Sequence, residues 1–287
     1  MACGIFHLLQ AILVLGLGLN PKGNAVKFKL PLTTLFLDWS KGFPVQKLVV
    51  QGYLPFVAVT SGFSWMSAVA HFFVLVFFST YYIPDLRKGI NRFRWIEYAF
   101  SSSLMIGLIA MLFGMYDIIS LVLIMSVNAT MNLFGFLMET TNVGKKTYDW
   151  TPFTFGGTNQ ICMIRAHINT SISCSCISCF CQYCFLLALA GAVPWACIFA
   201  YIGGSGSKSI PAFVFGILAA YLFMFNVFPV NMILQYTRVG CWSDSYWGYQ
   251  KGGYYFGEVV YQILSLVAKS LLLWLVYGGS NQPNPGY

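Results

Sequence analysis

The chain has 287 residues, 58% of them hydrophobic and 8% charged, which leaves too little polar side chain to cover a water-facing surface. That excludes an ordinary soluble domain, and apolar runs of about 20 residues, enough to cross about 30 Å of hydrocarbon, recur along the whole chain. The formal charge of +8 falls mostly between those runs, so it reads as membrane-flanking charge and not as a nucleic-acid surface.

In chain order, the first span is expected at 3–20, a stretch that carries His7 and lacks the basic start of a removable signal peptide. Residues 21–50 alternate around Pro and Gly and predict a small β-hairpin in the first extramembrane loop. A second span at 54–81 places Ser67 and His71, four residues apart, on one helix face. The short connection from Tyr82 to Arg94 holds Arg87, Lys88, Arg92 and Arg94, and the spans at 94–115 and 117–139 follow. Gly157 to Cys184 then holds six of the nine cysteines and reads as an insertion, 157–184. The spacing of Cys174 to Cys184 would suit thiolate ligation of zinc, but the run alternates with Ser, Ile and Phe and leads straight into a span, so no metal is expected. The same insertion contains the sequon Asn169 to Ser171. Further spans at 183–203, 210–236 and 255–277 complete an all-α, seven-helix membrane bundle forming a single domain, 1–287. Seven crossings put the termini on opposite sides. The basic Tyr82 to Arg94 connection places the N-terminus in the cytoplasm, although Lys22, Lys27, Lys29, Lys41 and Lys47 of the first loop count the other way.

Within the last span, SLVAKSLLLWL buries a cation: Lys269 stands roughly ten residues, about 15 Å, from either end, beyond the reach of its own side chain. An ammonium at a helix centre costs about 2.5–3.5 kcal/mol on insertion scales, so Lys269 is neutral, paired or beside water. Two roles satisfy that: locking helices through an acid, or carrying an aldehyde as a Schiff base. Ser265 stands one turn away. Of the acids, Asp117 falls in a loop and Glu97, Glu139 and Glu258 fall near span ends; Glu97 is the best partner, with an interfacial pair to Arg94, three residues earlier, as the alternative. His7 and His71 are candidate proton relays or, more ordinarily, neutral histidines bonded across helices.

The segments RWIEYAFSSSLMIGLIA, SVNATMNLFGF, AVPW and LSLVAKSLLLW closely resemble the heliorhodopsins, and the match runs from GIFHLLQ to the seventh span. The resemblance implies a rhodopsin-like photoreceptor, not an enzyme, with all-trans retinal held as a protonated Schiff base on Lys269 and Glu97 as counterion. It places Ser67, His71, Ser102, Ser103 and Ser265 around the imine, and Asn128, Met131, Trp195, Phe225 and Asn226 along the polyene and ring. It also implies a multi-pass protein of the lipid bilayer with a cytoplasmic N-terminus, an extracellular C-terminus and a homodimeric assembly. Leu108 occupies the place, about three turns past Glu97, where an outward pump would need a second acid. Light sensing by slow conformational change through an unidentified signalling partner is therefore the first expectation, and light-gated passive proton conduction by way of Glu97, His71, Glu258 or Glu139 the second. A retinal-free transporter or lipid-binding protein is the third.

Overall fold

The computed structural model describes residues 2–145, 147–153, 188–205 and 210–281. Its elements in order are α1 (Ala2–Leu19), β1 (Lys29–Asp38), β2 (Val45–Pro55), α2 (Phe56–Val76), a π turn (Phe78–Tyr82), α3 (Ile83–Lys88), α4 (Arg92–Leu112), α5 (Ile118–Thr141), α6 (Ala188–Ser205), α7 (Ala212–Thr237), α8 (Asp244–Trp247) and α9 (Gly252–Ser280). Among the described residues, α1, α2, α4, α5, α7 and α9 are long and apolar enough to cross a membrane, while α6 has a shorter apolar part, Val193–Gly204. The chain is thus a mostly helical membrane protein with six strongly apolar helices and one two-stranded hairpin among the described residues. The cysteine run Cys174 to Cys184 and the sequon at Asn169 lie outside the described residues.

Local chemistry sets the helix ends. Gly89, at φ +85°, closes α3 in the left-handed region that a side chain resists, and Asn91 then caps α4 by accepting the Arg94 N–H at 3.1 Å. Asp117 caps α5, accepting the N–H and the hydroxyl of Ser120 at 2.8 Å each; these bonds, the backbone one first, hold its carboxyl below the usual carboxylate range.

The hairpin predicted for 21–50 is present but runs five residues farther, to Pro55, where it meets α2 directly. Its strands pair antiparallel from Lys29↔Pro55 to Asp38↔Val45, with a bulge between Leu32 and Thr33. Beyond the bulge, Thr33 donates its N–H to Tyr116 O at 2.9 Å, which pins the hairpin to the α4–α5 turn. At the opposite end of the bundle, Lys251 bonds Arg87 O and Arg238 bonds the Tyr148 hydroxyl, so the α2–α4 connection, the end of α5 and the α7–α9 connection gather there.

The helix α4 is the most enclosed of the six, packed between α2 and α5. The close approach of α1 to α2 depends on Gly18, where an added Cβ would lie 2.7 Å from Ala58 N. An apolar core from Val14 through Ile106, Ile109 and Tyr221 to Leu272 and Val276 fills the hairpin half; Trp95, Tyr98, Met138, Met232 and Tyr261 form a second, aromatic cluster in the other half. Both include residues of α9, Leu272 in the first and Tyr261 in the second.

Candidate functional site

Four residues apart on α9, Ser265 and Lys269 share one face, and that face turns toward α4. Lys269 Nζ donates to Glu97 Oε1 at 2.5 Å and to Ser265 Oγ at 2.9 Å, with the Lys269 and Glu97 side chains only 3% and 9% exposed. The Ser67 hydroxyl donates to the same Glu97 oxygen at 2.6 Å, so α2, α4 and α9 converge on one carboxylate. His71 Nδ1–H donates to Ser67 O at 2.8 Å, which fixes the ring against α2. His7 on α1 is buried, its ring centre 5.9 Å from that of His71 and its Nδ1 without a hydrogen-bond partner among the described residues. A buried cation and a buried anion in contact make the centre neutral overall, and the Tyr98 ring, 5.4 Å from Nζ, adds its π face.

A cavity of about 490 Å³, well within the common range for ligand pockets, is lined by Lys269 and by residues of α4, α5, α6, α7 and α9. Lys269, Ser265, Ser102, Asn128, Met131, Trp195, Phe225 and Asn226 of the expected set all line it, Asn226 from an exposed position with its amide bonded to Leu222 O. Ser103 lies behind the wall: Asn128 Nδ2 reaches it at 3.1 Å and Ser102 Oγ at 2.7 Å. Glu97 and His71 instead line a separate, smaller cavity of about 70 Å³, shared with Ser265. Trp195 and Phe225 meet edge to face, 5.6 Å between ring centres, across α6 and α7. Pro194 and Pro229, inside the same two helices, each remove a helical hydrogen bond beside the cavity.

One wall depends on a glycine. A Cβ at Gly135 on α5 would fall 2.1 Å from the Trp95 ring, which lies buried against it. Gly135→Ala should therefore displace Trp95 and cost about 1–3 kcal/mol, typical of overpacking, visible as a lower melting temperature in detergent. An unchanged melting temperature would mean that the ring has room to move.

Arg94 departs from both sequence expectations. It neither pairs with Glu97 nor sits among the connection's solvated charges: it is buried and turned the other way, bonded through Nη2 to Glu139 on α5 and to Glu258 Oε1 on α9 at 3.0 Å, with Nε 3.1 Å from Glu258 Oε2. Its guanidinium stacks over Trp95 and Tyr261, 4.3 and 4.0 Å from the ring centres. Asn91 binds both acids, its N–H reaching Glu139 at 2.8 Å and its amide Glu258 at 2.6 Å. Glu139 and Glu258, placed near span ends by the sequence, are thus buried inside the bundle. A long guanidinium can choose between helices, and nothing in the i, i+3 spacing of Arg94 and Glu97 indicates which. The signal within reach was that all three glutamates of the chain fall in apolar helices, where each needs a partner.

The fit of this site to a retinal-sized aldehyde is set by its donors: a primary amine on the wall of a mostly apolar, aromatic-rich cavity, with a single carboxylate on the amine. No curated protein matches the chain. A family model described as Heliorhodopsin matches residues 1–169 and 177–280. With nearly its whole length matched, the chain belongs to the heliorhodopsin family of retinal-binding, light-sensing membrane proteins.

Proposed function

We propose that this chain is a photoreceptor in which Lys269 holds all-trans retinal as a protonated Schiff base and Glu97 serves as its counterion. The observation that carries the reading is the 2.5 Å contact between Glu97 and Lys269, which lines the 490 Å³ cavity. When bound, retinal supplies light absorption and isomerisation about its polyene. The residues do the rest. Glu97 offsets the positive charge, Ser67 and Ser265 hold the polar atoms in place, and the aromatic walls restrict where the ligand can move.

With retinal bound, Glu97 would hold the positive charge at Lys269, and light would supply the change that weakens this contact. The helices α2, α4 and α9, all bonded to that centre, are the elements whose packing then changes, which suits a slow signal passed to a partner. With Leu108 in place of a second acid on α4, a two-acid pump has no proton donor there. Passive proton conduction is the second reading, favoured by the small cavity that joins Glu97 and His71 to Arg94.

In this reading α6 supplies the seventh crossing, because α5 ends beside Arg238 while α7 begins near Phe113, at the hairpin end. The basic end with Arg87, Lys88 and Arg92 faces the cytoplasm, so the N-terminus is cytoplasmic and the C-terminus extracellular, and the protein assembles as a homodimer.

Voltage clamp of cells supplied with all-trans retinal separates the two readings. Sensing predicts no photocurrent at any external pH. A current whose reversal follows the proton gradient, about 60 mV for a tenfold change, would establish conduction instead.

A further inference from the structure

Arg94, Glu139 and Glu258 place two carboxylates on one guanidinium, all three side chains almost fully buried. Fully ionised, the cluster would carry one uncompensated negative charge away from water, a state that burial strongly disfavours. Both acids touch Arg94 Nη2, and Asn91 bonds each of them, so they are neighbours around one donor set. The other titratable groups facing the pair are tyrosines: Tyr98, Tyr254 and Tyr261 on α4 and α9, Tyr236 on α7 and Tyr82 on the π turn. None of these is a second cation.

A separate feature points to a ligand. Arg94 Nη1 is buried without a hydrogen-bond partner among the described residues. Arg94 also lines the 70 Å³ cavity, together with Asn91, Glu97, His71 and Ser265. One ordered water needs about 10–15 Å³, so a few waters fit in the cavity that the guanidinium and Glu97 both line.

We propose that Glu139 and Glu258 bind one proton between them in the dark, at a site separate from the Lys269–Glu97 pair, and that Arg94 and Asn91, which bond both acids and line the small cavity with Glu97, couple the two sites. With that proton the cluster is neutral: one guanidinium, one carboxylate and one carboxylic acid. Arg94 keeps its charge, so the coupling is electrostatic: a change of charge at Glu97 acts across the small cavity on the guanidinium and shifts the shared proton between the two acids, with the heavy-atom bonds intact. The dark proton stands on geometry and charge count alone; only the coupling rests on the reading of Lys269 as the imine.

Infrared spectroscopy of the full-length, retinal-loaded protein at pH 7 tests both parts. The dark spectrum should contain a buried carboxylic C=O stretch that survives Glu97→Gln and disappears in Glu139→Gln and in Glu258→Gln. Because the Glu97→Gln protein keeps the cluster intact, it decides the matter even if the cluster variants fold poorly. Absence of the band from both wild type and Glu97→Gln would overturn the shared proton. A band that Glu97→Gln alone removes would also overturn it, and would count separately against Glu97 as an ionised counterion. In light-minus-dark spectra the cluster band should shift or bleach; a band unmoved through the photocycle would overturn the coupling while leaving the dark proton standing.

Discussion

Lys269→Ala should abolish the visible absorption band that the wild-type protein gains with retinal, a complete loss and not a shift. Lys269 lines the 490 Å³ cavity, and no other lysine among the described residues does. The substitution also strands Glu97, whose partners Nζ and Ser67 Oγ become Ser67 alone. Breaking a buried pair by removing one member typically costs about 3–5 kcal/mol, so the single variant is expected to melt well below wild type. Lys269→Ala combined with Glu97→Gln removes both charges, should recover much of that stability, and should remain colourless. Recovery of stability without colour separates the chemical role of the amine from its contribution to folding. A visible band in either protein would reject Lys269 as the attachment site.

How far the sequence discloses this site depends on how local each part is. Lys269 and Ser265 lie on one helix at i, i+4, and the depth of Lys269 in an apolar run is enough by itself to require a partner. The hairpin is similarly legible, because strand alternation and turn residues are near neighbours in sequence. Glu97 had to be inferred by scarcity, since its partners are 172 and 30 residues away in sequence. The cluster of Arg94, Glu139 and Glu258 was out of reach for the same reason. Its bonds span 45 and 164 residues, and short-range spacing pointed Arg94 toward the wrong glutamate. The separation of the site into two cavities, with Ser102 and Asn128 on the large one and Glu97 and His71 on the small one, depends on side-chain direction around α4, which spacing alone leaves open.

Glu97→Gln should move the visible band to longer wavelength, the second large effect. With retinal on Lys269, the ground-state positive charge would sit at the nitrogen beside Glu97, and light absorption would move part of it away from the carboxylate. Glu97 therefore stabilises the ground state more than the excited state, and removing its charge narrows the gap. Two unit charges about 4 Å apart at an effective dielectric of about 20 interact by about 4 kcal/mol, which sets the scale of the ground-state stabilisation lost. Three further substitutions distinguish a counterion from a residue that merely shapes the site. Glu97→Asp keeps the charge on a shorter arm and should shift the band less than Glu97→Gln. Ser67→Ala removes only the 2.6 Å bond to the carboxylate and should shift it less again. Glu258→Gln should leave it nearly unmoved, because that carboxylate is bonded to Arg94 and Asn91 and lies outside both cavities. If Glu258→Gln produced the large shift and Glu97→Gln none, the anion facing the imine would be Glu258, and the contact between Lys269 and Glu97 would be a helix lock that retinal displaces.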